Sequence, residues 1–490
     1  MESLLAQAAE YTPPVGPLIG LLLFGIAFLL VLILRFKLQA FLALLVASVV
    51  VAVGAVFVNA DAPADQRITL TQVGQTVVDS MGGALGFIAT IIGVGAIFGA
   101  ILEHSGGTQS LANTLLKRFG EKRAPWAMLV TGFIISIPVF LDVALVILAP
   151  LLYALSRDTK KPLLVFGLPL VAGMAVTHAF VPPTPGPVAV SYILGVNLGQ
   201  VILFGVMVGL PTALLCGPFL CSKVATFVDV TLPEHVTEWS EGKEDGTELP
   251  PFSLILTLIA LPIVLILSNT IIEQGLAASI ADGLSSGERK SQLKVLLAEA
   301  PLWKQVIHFI GHPVISLMGS TLLAVHFLGT RRGVTREKLL DLSTKALGPA
   351  GIIILITGAG GVFKGVLIKT GIADALKAAF ADFNISVYVL AWLFATLVRV
   401  AQGSATVAML TAAGLMVAFV DGLGPQQLAL VTVAIAAGAT GFSHVNDSGF
   451  WMISRYMNMT EAQTLRTWSL ISTAISLVAF GMVLILGVFV

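Results

Sequence analysis

Apolar stretches long enough to cross a membrane recur along the whole chain, separated by short polar segments. The first, LIGLLLFGIAFLLVLIL (18 to 34), stops at Arg35 and Lys37, and others cover 38 to 58, 84 to 102, 162 to 196, 200 to 221, 251 to 269, 313 to 329 and 346 to 368. A helix of about 20 residues spans the roughly 30 Å hydrocarbon layer, so the pattern predicts an all-α polytopic membrane protein. Composition agrees: 57% of residues are apolar and 11% charged, against about 25% charged in soluble domains. The 27 basic and 27 acidic residues cancel, which gives no footprint for nucleic acid as a partner. The lead-in MESLLAQAAEYTPP carries no basic region, and the run after it ends in basic rather than small residues. It therefore reads as a retained span and not a signal peptide. Cys216 and Cys221 lie in an apolar segment and read as packing residues, with no disulfide framework and no metal site expected.

Basic loops stay on the cytoplasmic side. The clusters Arg35/Lys37, Lys117 to Arg123, Arg157 to Lys161 and Arg331 to Lys345 are satisfied if the first span runs inward, which places both termini outside the cell. The block 124 to 156 is flanked by basic residues on both sides, so a single crossing cannot serve it. A re-entrant hairpin can, with its tip in SIPVFLDVA around Pro138 and Asp142. Irregular backbone at that depth survives only where protein or a wet cavity covers it.

The second half repeats the order of the first. IGVGAIFGAILEHSG (92 to 106) aligns with TGAGGVFKGVLIKTG (357 to 371) at one constant offset. Each copy is followed by a hairpin candidate with a polar tip, SIPVFLDVA in the first half and RVAQGSATVA (399 to 408) in the second. Each hairpin is followed by an interrupted helix. HAFVPPTPGP breaks with Pro182, Pro183, Pro185 and Pro187, and GFSHVNDSGFW (441 to 451) breaks with Asn446, Asp447, Ser448 and Gly449; proline removes a donor and clashes with the preceding turn. Because 84 to 102 runs inward and 346 to 368 outward, the repeats are inverted. The expected organisation is a first repeat over 1–221 (hairpin 124–156, broken helix 162–196), a cytoplasmic polar linker over 222–250, and a second repeat over 251–490 (hairpin 385–420, broken helix 425–458). Each repeat has about five crossing helices plus one re-entrant hairpin. The stretch 271 to 312 is expected to be an extracytoplasmic loop with an amphipathic or interfacial helix. Inverted repeats with discontinuous helices mark secondary transporters, whose substrate sites lie near the midplane.

At the hairpin tips and helix breaks, backbone groups lose their intrahelical partners, and helix N-termini favour anions. Candidate substrate ligands are Asp142, Thr184, Gly186, Gln402, Gly403, Ser404, Thr406, Ser443, His444, Asn446 and Ser448, able to exchange hydrogen bonds with a hydroxylated anion. The competing reading is that the small residues only let helices pack closely. Candidate proton carriers are Asp142, Asp447, His178 and His444, because a carboxylate at membrane depth is costly and usually functional and histidine titrates near neutrality. The competing reading here is that each aspartate caps a half-helix or pairs with a neighbouring histidine, and that each histidine is a packing residue. Arg399 suits either an anionic substrate or anchoring of its hairpin, Lys364 reads as snorkelling, and Glu103 and His104 read as helix-end residues. The acidic loop 234 to 248 reads as a solvated linker.

GFIATIIGVGAIFGAILEHSGG, HAFVPPTPGP, RVAQGSATVA and GFSHVNDSGFW closely resemble the gluconate permease (GntP) family of proton symporters, over essentially the whole chain. The resemblance implies a bacterial inner-membrane transporter of gluconate or a related sugar acid, with the proton as coupling ion and no other cofactor. It also implies a homodimer whose hairpins and broken helices move in an elevator-like manner against an interface of outer spans. Import of D-serine or another small carboxylate, or coupling to sodium, stays open. No G-x-x-x-x-G-K-[ST] motif is present, which disfavours a nucleotide-driven pump. An intramembrane hydrolase using Ser443, His444 and Asp447 is a different-class alternative.

Overall fold

The computed structural model describes residues 14–61, 68–231, 248–280, 286–380 and 385–490. The N-terminal lead-in, part of the loop after 59, and nearly all of the acidic linker lie outside the described residues. In chain order the helices are α1 (Val15–Leu34), α2 (Ala40–Val58), α3 (Leu70–His104), α4 (Gly107–Phe119), α5 (Ala124–Ile135), α6 (Leu141–Thr159) and α7 (Leu164–Phe180). There follow α8 (Pro185–Leu194), α9 (Leu198–Leu214), α10 (Leu220–Val224), α11 (Phe252–Ala277), α12 (Ser286–Glu299), α13 (Leu302–Ile310) and α14 (Pro313–Ala324). The last are α15 (Arg336–Lys369), α16 (Ile372–Phe380), α17 (Val387–Gln402), α18 (Ala405–Met416), α19 (Pro425–Thr440), α20 (Ser448–Tyr456) and α21 (Glu461–Gly487). Among the described residues, nine helical segments are long and apolar enough to cross a membrane. The protein is an all-helical, multi-pass membrane protein.

Several helices outrun the apolar stretches that announce them. The stretch 84 to 102 is only the later part of α3, which begins at Leu70 behind a capping box in which Thr69 N donates to Gln72 Oε1 at 3.0 Å. The intervening polar side chains satisfy each other along the helix surface, Gln75 Nε2 donating to Asp79 Oδ1 at 2.7 Å, so polarity there does not end the helix. The stretch 346 to 368 likewise belongs to a helix begun at Arg336, where Thr335 caps Lys338 N. In the linker region, helical structure continues past 221 through α10 and a turn at Ala225–Phe227. Between 271 and 312 the chain completes α11 and forms α12 and α13. On α13, Leu302, Trp303 and Phe309 are exposed, the amphipathic character expected of that stretch.

Both hairpin candidates are two helices joined by a short non-helical tip: α5 and α6 around Ser136–Phe140, α17 and α18 around Gly403–Ser404. Pro125 opens α5 and Gly403, at φ 88°, ends α17, both expected positions for these residues. The helices α17 and Ala405–Phe419 are shorter than the about 20 residues of a typical membrane-crossing helix. Both interrupted helices are broken where the prolines and the Asn-Asp-Ser-Gly run stand. The first break holds a cis Pro182–Pro183 bond.

Glycine lets the first helix of each hairpin candidate lie directly on the helix that precedes a break. A Cβ on Gly132 of α5 would meet Leu170 O of α7, and one on Gly173 of α7 would meet Leu129 O. In the second half, a Cβ on Gly438 of α19 would meet Trp392 O of α17. Small residues permit this backbone approach in membrane proteins. The two long helices α3 and α15 pack the same way, with a Cβ on Gly361 falling 2.6 Å from that of Ala84. Of the most apolar stretch within Leu164–Leu194, 89% is buried, against 28% within Val15–Ile33. The first interrupted helix is therefore central and α1 peripheral.

Candidate functional site

A cavity of about 1440 Å³ opens between the hairpin tips and the helix breaks. Four helix N-termini reach it: α6 through Phe140, Leu141 and Asp142, α8 through Gly186, α18 through Ser404 to Thr406, and α20 through Asp447 to Gly449. These are the second arm of each hairpin and the second half of each interrupted helix. Each N-terminus presents the positive end of the helix dipole and free N–H groups, though on α8 only Gly186 supplies one because Pro185 and Pro187 have none. The side chains at these ends follow capping chemistry. Ser404 Oγ accepts from Val407 N at 3.4 Å, and Asp447 Oδ1 accepts from Gly449 N at 3.0 Å, the usual work of an N-cap residue.

Of the residues expected from sequence, the structure brings Asp142, His178, Gly186, Ser404, Thr406, Asp447 and Ser448 to the cavity wall. Asp142 and Ser448 are solvent-accessible there. His178 stands edge-on to Phe140 with ring centroids 6.4 Å apart, and its Nδ1 is buried with no hydrogen-bond partner among the described residues.

The remaining expected ligands are turned elsewhere. Thr184 is buried, and its hydroxyl donates to Val181 O at 2.8 Å, closing the proline turn on itself. Gln402 Oε1 accepts from Ser404 N at 3.0 Å, folding back over its own tip. Gly403 is buried against the Asn446 backbone. His444 Nε2 and Asn446 Nδ2 both reach Val400 O, at 3.0 and 2.9 Å, and so bind the break to the end of α17. Ser443 is fully buried; it donates to Asp447 Oδ2 at 2.5 Å and accepts from Trp468 Nε1 at 2.8 Å. With His444 committed to Val400 and Ser443 bonded directly to Asp447, no base stands between nucleophile and acid, as a hydrolytic triad requires.

Arg399, weighed from sequence but not placed among the ligands, is the centre of the second half of the site. It is 4% exposed. Its guanidinium donates to Gly403 O, to Gly441 O at 3.3 Å and to Asp447 Oδ2 at 2.5 Å. One side chain thus ties hairpin tip, helix break and acidic cap together while still lining the cavity. The signal was legible: an arginine inside the apolar run LFATLVRVAQ must find a counter-charge. Lys364 does not snorkel; its ammonium donates to Ile193 O near the end of α8. Glu103 and His104, read as helix-end residues, do end α3, and they line the cavity at the side where Arg332 and Lys345 also stand.

A profile of GntP family permeases matches residues 17–489. The gluconate permease of Pseudomonas aeruginosa is 33% identical over 459 residues, covering 94% of this chain and 95% of that protein. The gluconate permease of Bacillus subtilis is 36% identical over 469 residues, covering 95% and 98%. The Gnt-II system L-idonate transporter of Escherichia coli is 32% identical over 453 residues, covering 92% and 95%. Among solved structures, MtrF of Neisseria gonorrhoeae superposes with a TM-score of 0.61 at 15% identity, covering 99% of this chain and 97% of that one. That likeness concerns the fold.

Proposed function

The chain belongs to the GntP family of permeases, and on that premise we propose that it imports gluconate or a closely related sugar acid by proton symport. As a permease it moves solute and is not an enzyme. The observation that carries the reading is the convergence of four helix N-termini on one cavity. Their dipoles and free N–H groups favour an anion, and Ser404, Thr406 and Ser448 add hydroxyls that exchange hydrogen bonds with those of a sugar acid. That relatives of one-third identity are named for gluconate and L-idonate supports the same substrate class.

In this reading Asp142, open to the cavity, and His178 beside it pass the proton between water and the site, and Asp447 responds to it. The two halves are inverted repeats, each hairpin is re-entrant, and both termini are extracytoplasmic. The cavity side carrying Arg332 and Lys345 is then cytoplasmic by the charge rule. Hairpins and interrupted helices move together, elevator-fashion, against the outer spans of a homodimer in the bacterial inner membrane.

The test is uptake of labelled gluconate into proteoliposomes under an imposed pH gradient, with other aldonates, D-serine and dicarboxylates as competitors. Accumulation driven by the pH gradient and suppressed best by aldonates is expected. Accumulation that needs a sodium gradient and ignores protons would remove the coupling assignment, and competition by D-serine but not by aldonates would remove the substrate assignment.

A further inference from the structure

The Arg399–Asp447 pair is buried, with side chains 5% and 12% exposed, yet both residues line the cavity. Arginine stays charged, and its fork matches a carboxylate. Among the described residues, the only carboxylate on it is Asp447, held at 2.5 Å. Two of the fork's contacts go to backbone oxygens that the fold fixes, Gly403 O and Gly441 O. Asp447 has a second set of partners, Gly449 N and the Ser443 hydroxyl, which can keep it at the head of α20 without Arg399.

We propose that Asp447 occupies the place of the substrate's carboxylate on Arg399, and that exchange of the one for the other obliges a proton to travel with the substrate. The proposal rests on the reading that the cavity takes a carboxylate. When the substrate's carboxylate moves onto Arg399, Asp447 is left buried without a counter-charge, a costly state. A proton on Asp447 relieves it. The empty site then holds one positive and one negative charge, and the loaded site again holds one of each, the substrate supplying the negative one. The state with substrate but no proton holds two carboxylates against a single guanidinium and is the one disfavoured, which is the requirement for coupling.

The groups facing Asp447 are consistent with this exchange. From α17 there is Arg399; from the break, Ser443, and His444 held on Val400 O; from α21, Trp468, whose indole N–H goes to Ser443. Around the same cavity stand Asp142, His178, Glu103, His104, Arg332 and Lys345. Arg332 is bonded to Glu248 O and Lys345 to Asp341 at 3.0 Å. On α20 itself, Arg455 is exposed near the far end of the helix.

The experiment is gluconate binding to purified full-length protein from pH 5 to 8, by calorimetry in buffers of differing ionisation enthalpy. Wild type is expected to take up close to one proton per gluconate bound at the upper end of this range, its affinity falling there by up to tenfold per pH unit. Asp447→Asn, which preserves the cap because asparagine serves that position equally well, is expected to bind with an affinity independent of pH. Reconstituted in vesicles, it is expected to exchange gluconate but not accumulate it. Arg399→Gln is expected to lose binding by at least tenfold. Wild-type binding without proton uptake overturns the proposal and needs no variant to show it. So does an Asp447→Asn protein that keeps the wild-type pH dependence, or an Arg399→Gln protein that binds normally. Wild type that binds no aldonate at any pH overturns the substrate reading beneath it instead.

Discussion

Gly403 at the tip of the second hairpin lies against the backbone of Asn446 in the second helix break, so closely that a Cβ would stand 2.6 Å from the Asn446 carbonyl carbon. Its φ of 88° is also one that L side chains rarely adopt. Tip and break are therefore in register only with glycine at this position. Gly403→Ala is expected to destabilise the protein by about 2–5 kcal/mol, combining about 1–2 for the left-handed backbone with about 1–3 for overpacking. A melting-temperature series in detergent checks it. A variant melting like wild type would show that the tip moves away from Asn446 without cost.

Asp142 stands in the first turn of α6, exposed to the cavity. Asp142→Asn keeps the shape and removes the ionisable group. The rate of proton-driven gluconate uptake is expected to fall at least about a hundredfold, the low side of what a positioned proton-transfer group contributes, while exchange of internal for external substrate persists. Wild-type accumulation in the variant would take Asp142 out of the proton path.

Ser404 serves twice, capping α18 through Val407 N and lining the cavity. Ser404→Ala is expected to cost about 1 kcal/mol of stability from the lost cap. If its hydroxyl also bonds the bound sugar acid, affinity drops by a further factor of about 2–10, the worth of one net hydrogen bond. Thermal melts and binding curves on the same preparation separate the two effects.

Asn197 opens α9 by accepting from Gly199 N at 2.9 Å, and its amide donates to Glu273 Oε2 of α11 at 2.5 Å. Glu273 in turn accepts from Asn269 at 3.1 Å, and Asn269 Oδ1 meets His308 Nδ1 of α13 at 2.7 Å. Removing Asn197 as alanine unties a cap and leaves Glu273 short of a donor. A loss of about 1–2 kcal/mol from the cap alone is expected in chemical or thermal unfolding. Asn197→Asp, which retains the cap, should recover part of it but not the contact to Glu273.

Much of this architecture was legible in the chain because it is written in local patterns. Apolar runs announced the spans, and prolines and the Asn-Asp-Ser-Gly run marked the interruptions. These features depend on neighbours within a turn or two, and sequence order preserves those neighbours. The starts of α3 and α15 were missed because capping and i,i+4 pairing carry a helix through polar residues, which a hydropathy pattern reads as loop.

Which side chains face the cavity was decided only by tertiary structure. At a helix break the backbone no longer follows a fixed period, so a side chain's direction depends on whatever packs against it. Thr184 turns to Val181 O, and His444 and Asn446 turn to Val400 O. Arg399 finds its counter-charge 48 residues along the chain, because glycine contacts such as Gly438 on Trp392 O bring α17 and α19 within backbone reach. The sequence by itself determined that two helices are interrupted and that charges lie near the interruptions. Only the folded chain decided which charges meet, because their encounter is set by contacts between segments that sequence order keeps apart.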